Sequence, residues 1–144
     1  MTEEQKQLLI KDLCGRLPYG VNILHVKDGI IGVLSTINIY VEGREQKLKC
    51  STPFFVEDNV PIEEFKPYLY PLSSMTEEQR SMLEDLDMNE PTLDISGERQ
   101  IYILTNPRII DWLNAHHFDY RGLIEQGLAI DATGVVMYSK EREP

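Results

Sequence analysis

Five of the eight prolines, Pro53, Pro61, Pro67, Pro71 and Pro91, fall in one stretch and alternate with Phe54, Phe55, Phe65, Tyr68 and Tyr70. Proline offers no backbone N–H and holds φ near one value, so a segment punctuated in this way is expected to be neither a long helix nor a central strand. The pattern predicts a short helical turn over 61–65. An extended run over 66–71 follows, laid onto a sheet by its aromatic side chains. The regular elements must then lie on either side of it.

On the N-terminal side, Thr2-Glu3-Glu4-Gln5 is a capping box, in which the Thr hydroxyl and the Gln side chain each take up an amide of the other residue. The helix that follows carries Leu9, Ile10, Leu13, Cys14 and Leu17 on one stripe, and Gly15 with Pro18 marks its end. From 19 to 52 the period becomes that of strands. Residues 20–27, 30–41 and 46–51, separated by turns at Lys27-Asp28-Gly29 and Glu42-Gly43-Arg44, predict a three-stranded antiparallel meander. Apolar residues of both parities in the middle strand predict that both its faces are partly covered.

On the C-terminal side, Met75-Thr76-Glu77-Glu78-Gln79 repeats the opening capping signal and predicts a second helix over 77–87. A fourth strand is expected over 99–104. Asn106 and Pro107 then cap and begin a helix to about 116, with Ile109, Ile110, Leu113 and His117 inward, Trp112 and His116 at its edge, and Arg108, Asp111 and Asn114 in water. Asp119 is placed to cap a further short helix over 120–126, stopped by Gly127, with Leu128 folding back onto its last turn. Residues 128–131 and 135–138 suit a closing hairpin around Ala132-Thr133-Gly134, and 139–144 a frayed tail.

The chain has 144 residues, of which 42 are Leu, Ile, Val or Phe. That lies well above the ~20 % below which charged chains stay disordered, and the length suits one core. Cys14 and Cys50 are too few and too far apart for a disulfide framework or a zinc knuckle, so two reduced, buried thiols of a cytoplasmic protein are expected. The polar N-terminus and short apolar runs indicate neither a signal peptide nor a membrane span.

The net charge of -10 is concentrated in one block: residues 57–98 hold twelve carboxylates against Lys66 and Arg80. Direct nucleic-acid binding is disfavoured, because phosphate neutralisation needs a basic face. What remains is either a solvated surface that keeps the protein soluble or a face for a basic protein partner. Glu77, Glu78, Glu84, Asp85 and Asp87 form its centre, and Glu57, Asp58, Glu63 and Glu64 continue it. Phosphate loops, dinucleotide fingerprints, nucleophile elbows and Cys-x-x-Cys pairs do not occur, and no cofactor is expected.

The one dense group of chemical side chains is the corner His116-His117-Phe118-Asp119-Tyr120-Arg121. His117, Asp119, Tyr120 and Arg121 are the candidates for acid-base catalysis, and His116, His117 and Asp119 those for a metal. Adjacent histidines diverge on a helix, however, whereas a helical metal pair needs i and i+3 or i+4. A structural corner, with its polar groups capping helix ends, is the competing reading and the favoured one.

Two stretches carry a resemblance: Phe65-Lys66-Pro67-Tyr68-Leu69-Tyr70-Pro71-Leu72-Ser73-Ser74-Met75-Thr76, and Asp111 to Ile124 with Gly127-Leu128-Ala129. They resemble small uncharacterised proteins carried in prophage and mobile-element regions of gut anaerobic bacteria, a resemblance that implies an accessory role and brings no activity or cofactor with it. The expectation is a single α+β domain over 1–144. It has an antiparallel sheet of about four to six strands and three to four helices packed on it. The expected function is non-enzymatic binding of a basic partner, such as a nucleic-acid-binding protein, and the alternative is a small metal-dependent or acid-base enzyme using the His116, His117, Asp119, Tyr120 and Arg121 corner.

Overall fold

The computed structural model describes residues 1–42, 45–51, 61–86 and 107–135, with most of the 36–51 hairpin described as backbone. The elements are helix α1 (Glu3–Arg16) and strands β1 (Asn22–His25), β2 (Ile30–Val33), β3 (Thr36–Glu42), β4 (Glu45–Ser51) and β5 (Phe65–Pro71). They continue with α2 (Glu77–Leu86), α3 (Pro107–Ala115), β6 (Phe118–Asp119) and β7 (Ile130–Asp131), and short 3-10 turns flank α1 and β5. The fold is α+β. Its sheet is mixed, since β1 pairs antiparallel with β2 and β5, whereas β6 and β7 run parallel to β5.

Both capping boxes form. The Thr2 hydroxyl accepts from the Gln5 amide at 3.1 Å while the Gln5 side chain accepts from the Thr2 amide at 3.0 Å. Thr76 and Gln79 repeat the arrangement at 3.1 and 3.0 Å. The helical turn expected over 61–65 is present as Ile62–Glu64. Gly15 does not end α1. The helix runs through it to Arg16, continues as a 3-10 turn, and stops at Gly20, whose φ of 71° is left-handed.

The proline argument against a central strand is overturned. β5 is the strand that β1, β6 and β7 all join. The reason is parity. Val26 N–H donates to the Glu64 carbonyl and Tyr70 N–H to the His117 carbonyl, so even-numbered residues bond the edge shared by β1 and β6. Odd-numbered residues, Pro67 and Pro71 among them, face the β7 edge, where the Leu69 carbonyl accepts from Ala132 N–H at 2.7 Å. Strand β7 is only two residues long and reaches Tyr68 and Leu69, so the missing proline N–H groups fall outside its rungs.

The expected meander is broken too. Its middle strand divides at Leu34-Ser35. β2 pairs with β1 in the main sheet, while β3 pairs with β4, Thr36 opposite Ser51, in a separate two-stranded sheet. The predicted strand 99–104, the Asn106 cap, the second arm of the closing hairpin beyond Val135, and the tail lie outside the described residues. Residues 130–131 pair with β5.

Alternation along β5 sends its side chains to two cores, as the strand period requires. Phe65 and Leu69 join Val21, Ile23 and Leu34 beneath α1, where Leu9, Ile10 and Leu13 meet Leu123 and Leu128. Tyr68 and Tyr70 face the other way, against Leu83 of α2, Ile109 and Leu113 of α3, and Phe118.

On α1 the buried stripe is Leu9, Ile10, Asp12, Leu13 and Arg16. Cys14, expected to be buried, is exposed, because Asp12 and Arg16 are the side of α1 covered by the turn after α3. Gly15 has a packing role at the crossing with α3: a Cβ there would sit 3.1 Å from Asn114 Nδ2. Asn114, expected in water, is buried at this crossing. Its amide oxygen holds the Tyr120 hydroxyl at 2.9 Å, so it has no room to withdraw. Gly15→Ala is therefore expected to lower stability in urea titrations, although helix propensity alone favours Ala by about 1 kcal/mol.

Candidate functional site

The polar centre of the molecule lies where α1 meets the turn after α3. Arg16 and Asp12 are one helical turn apart and wholly buried. Arg16 Nε donates to Asp12 Oδ2 at 2.7 Å, and Nη2 donates both to Asp12 Oδ1 at 3.1 Å and to the Phe118 carbonyl at 2.6 Å. Arg121 Nε approaches the same carboxylate at 3.4 Å. Both guanidinium groups approach the Tyr120 ring, with Arg16 Cζ 5.2 Å and Arg121 Cζ 4.9 Å from its centroid.

Sequence reasoning missed Asp12 and Arg16. The readable signal was their i,i+4 spacing alongside Leu9 and Leu13, which puts an ion pair on an apolar stripe.

The candidate catalytic residues come together around this centre, and most of their polar atoms are taken up by the fold. Asp119 does not cap a helix. It ends β6, and its carboxylate accepts from the backbone amides of Arg121 at 3.3 Å, Leu123 at 3.0 Å and Ile124 at 2.9 Å. The residues after it form turns in place of the expected helix. They close with Leu128 N–H on the Leu123 carbonyl and Gly127 N–H on the Ile124 carbonyl, with Gly127 left-handed at φ 74°. This is the Schellman ending, formed without the helix that normally precedes it. A side chain holding three amides stabilises the turn as well as a helix cap would, so the stop signal was right and the period was not.

The two histidines part company. His116 stacks on Trp112 at 4.1 Å between centroids, with Nδ1 2.9 Å from the Trp112 carbonyl, at the half-buried edge of α3. His117 turns inward at φ 63°, a left-handed conformation rare for a residue with a Cβ. Burial, then the nearby charge of Arg16, then that of His116, lower its pKa to about 3. It is therefore neutral at physiological pH. Among the described residues no three of His, Cys, Asp or Glu form a group that could hold a metal ion.

The third histidine closes the β1–β2 turn at a distance from this corner. His25 Nδ1 lies 2.8 Å from Asp28 Oδ2, and its ring packs on Phe65. Glu64 pairs with Lys27. The Ile30 amide, with His25 beside it, lowers the Asp28 pKa, and Lys27 lowers that of Glu64.

Of the acidic block, Glu77, Glu78 and Asp85 are exposed on α2 and Glu84 is half-buried. Glu63 pairs with Lys6 at 2.9 Å, which leaves it with a counter-charge. Glu57, Asp58 and Asp87 lie outside the described residues. Leu83 turns inward and Leu86 is half-buried, whereas Met82 is 37 % exposed on the outer face.

Comparison with protein-family models, curated proteins and solved structures finds no match. Among the described residues no helix is long and apolar enough to cross a membrane.

Two outcomes test the polar centre. Arg16→Met removes the bidentate partner of the buried Asp12 carboxylate, leaving it Arg121 at 3.4 Å, and removes a donor to the Phe118 carbonyl; it should cost about 3–5 kcal/mol in chemical denaturation, as removal of one partner of a buried pair does. His117 binds a proton in the unfolded chain below pH ~6.5 but not in the folded one, so folding stability is complete above that pH and declines as pH falls toward 3. The slope should approach about 1.4 kcal/mol per pH unit below pH ~6. His117→Asn, which tolerates the left-handed backbone, should remove that slope between pH ~6 and ~5, above the range where Asp28 and Glu64 titrate.

Proposed function

We propose that this protein is a non-enzymatic interaction module, an accessory protein of phage or mobile-element origin, that engages a basic protein surface through the outer face of α2. The origin rests on the resemblance of the 65–76, 111–124 and 127–129 stretches alone. The observation that carries the binding reading is the state of the α2 carboxylates. Glu77, Glu78, Glu84 and Asp85 meet no cation within ion-pair distance among the described residues, although Arg80 stands at helical spacing from both Glu77 and Glu84. Arg80 instead has its Nε buried. The face is left negative, with Met82 among the carboxylates as an apolar contact point.

The helix holds this face out by burying the opposite one. Leu83 and Gln79 are inward, Gln79 closes the capping box, and the acidic first turn lies at the positive end of the helix dipole. A fixed field of one sign speeds encounter with an oppositely charged surface, and the effect fades as salt shortens the Debye length below ~10 Å. A DNA- or RNA-binding protein whose own site is occluded by these carboxylates is the partner this chemistry fits. The competing catalytic reading needs a side chain with an atom free to move a proton. In the corner Asp119 is occupied by three amides, the Tyr120 hydroxyl donates to Asn114, and burial lowers the His117 pKa to about 3, which makes it a weak base.

Replacing Glu77, Glu78, Glu84 and Asp85 together by Lys is expected to leave the fold intact, since three of them are exposed, Glu84 is only half-buried, and charges at such positions contribute little to stability. In affinity capture from the native host, the wild type is expected to retain a basic protein in a salt-sensitive way and the variant to lose it. Capture unchanged by the four substitutions, with unchanged salt dependence, would place the binding surface elsewhere.

A further inference from the structure

Strand β2 is the outer edge of the main sheet among the described residues. Leu34 N–H donates to the Val21 carbonyl at 2.9 Å, and the β1–β2 register places Val33 opposite Asn22 and Ile31 opposite Leu24. In an antiparallel ladder hydrogen-bonded and non-bonded pairs alternate. Gly32 therefore bonds inward to β1, while Ile31 and Val33 direct both their N–H and C=O groups away from the sheet. No strand among the described residues takes them, since β2 ends the sheet order. The side chains match this open edge: Ile30 is 39 %, Ile31 41 % and Val33 39 % exposed.

Sheet edges of soluble proteins are normally blunted by Lys, Pro or a bulge. β2 reads Ile-Ile-Gly-Val and has none of these.

We propose that β2 is a self-association edge, joined by β2 of a second copy of this chain in antiparallel, two-fold symmetric register with Gly32 opposite Gly32. Ile31 then lies opposite Val33 of the second copy and Val33 opposite its Ile31, and each pair exchanges both outward hydrogen bonds. The same register forms two apolar cross-strand pairs on one face, the unit by which sheets gain stability. Gly32, with no side chain, lets the strands close at the axis.

Charge selects this occupant. The chain carries -10 overall, yet residues 19–34 contain only Lys27 and Asp28, of opposite sign. Both are engaged at the turn, with Glu64 and His25. A charged partner finds nothing to read here. A second copy meets no like-charge repulsion, whereas contact through α2 would bring two acidic faces together. Four residues a side fall short of the ~1,200 Å² at which stable interfaces begin, so the dimer dissociates on dilution.

The test is sedimentation equilibrium of the full chain from about 1 µM to about 1 mM, where weak association is read. The wild type is expected to dimerise within that range. Amide exchange should slow with concentration at Ile31 and Val33 and stay unchanged at Gly32, whose amide bonds within the chain. Ile31→Lys with Val33→Lys, and separately Ile31→Glu with Val33→Glu, should each weaken self-association at least ~10-fold. An equimolar mixture of the two variants should restore a dimer, which a misfolded variant could not do. A wild type monomeric throughout, double variants that still dimerise, or a mixture that stays monomeric would each overturn the proposal.

Discussion

Burial of β5 on both faces is the constraint on which the other elements depend. Phe65 and Leu69 look toward α1, and Tyr68 and Tyr70 toward α2 and α3. A strand covered on both sides needs two layers, and the chain supplies them from its two ends: α1 with Leu123 and Leu128 on one face, α2 with α3 on the other. Packing one layer without the other would leave large aromatic side chains in water, at a cost of about 1.5–3 kcal/mol for each fully exposed group. The two cores are therefore halves of one cooperative unit.

The polar centre ties these layers to each other. Arg16 comes from α1, yet its Nη2 ends on the carbonyl of Phe118, a residue of the opposite core. Tyr120 and Asn114 carry the link on to α3 and to Gly15. Burying Asp12 and Arg16 costs desolvation of two charges, offset here by bidentate geometry, a third bond to the backbone, and Arg121 nearby. Most polar atoms of the groups that look most chemical in the sequence are used in holding the fold together. That is why the proposed function falls on the surface.

The surface divides by charge. Among the described residues, α2 presents carboxylates without counter-ions, and β2 presents apolar side chains beside a hydrogen-bonding edge that no strand takes. One attracts at long range and fades with salt. The other acts only on contact, and needs a partner with matching register. A dimer through β2 would carry two acidic faces, and bivalence raises avidity for a repeated basic target without any new contact.

What the sequence determined by itself is local. Thr2 with Gln5, Thr76 with Gln79, the start of α3 at Pro107, the turn at Ile62–Glu64 and the left-handed stop at Gly127 each involve partners within a few residues, and each was legible because capping and turn chemistry act over that range. Tertiary structure decided the rest. The prolines of β5 became tolerable only because the neighbour on their side is two residues long. Asp119 kept its amide-binding chemistry but entered a strand, because Tyr70 N–H bonds the His117 carbonyl just before it. Asp12, Arg16 and Asn114 turned inward because a backbone carbonyl 102 residues from Arg16 and the missing side chain of Gly15 gave them partners. Apolar period and cap signals report on neighbours in sequence. Which face of an element meets water, and which polar group finds a buried partner, depends on residues brought together from opposite ends of the chain.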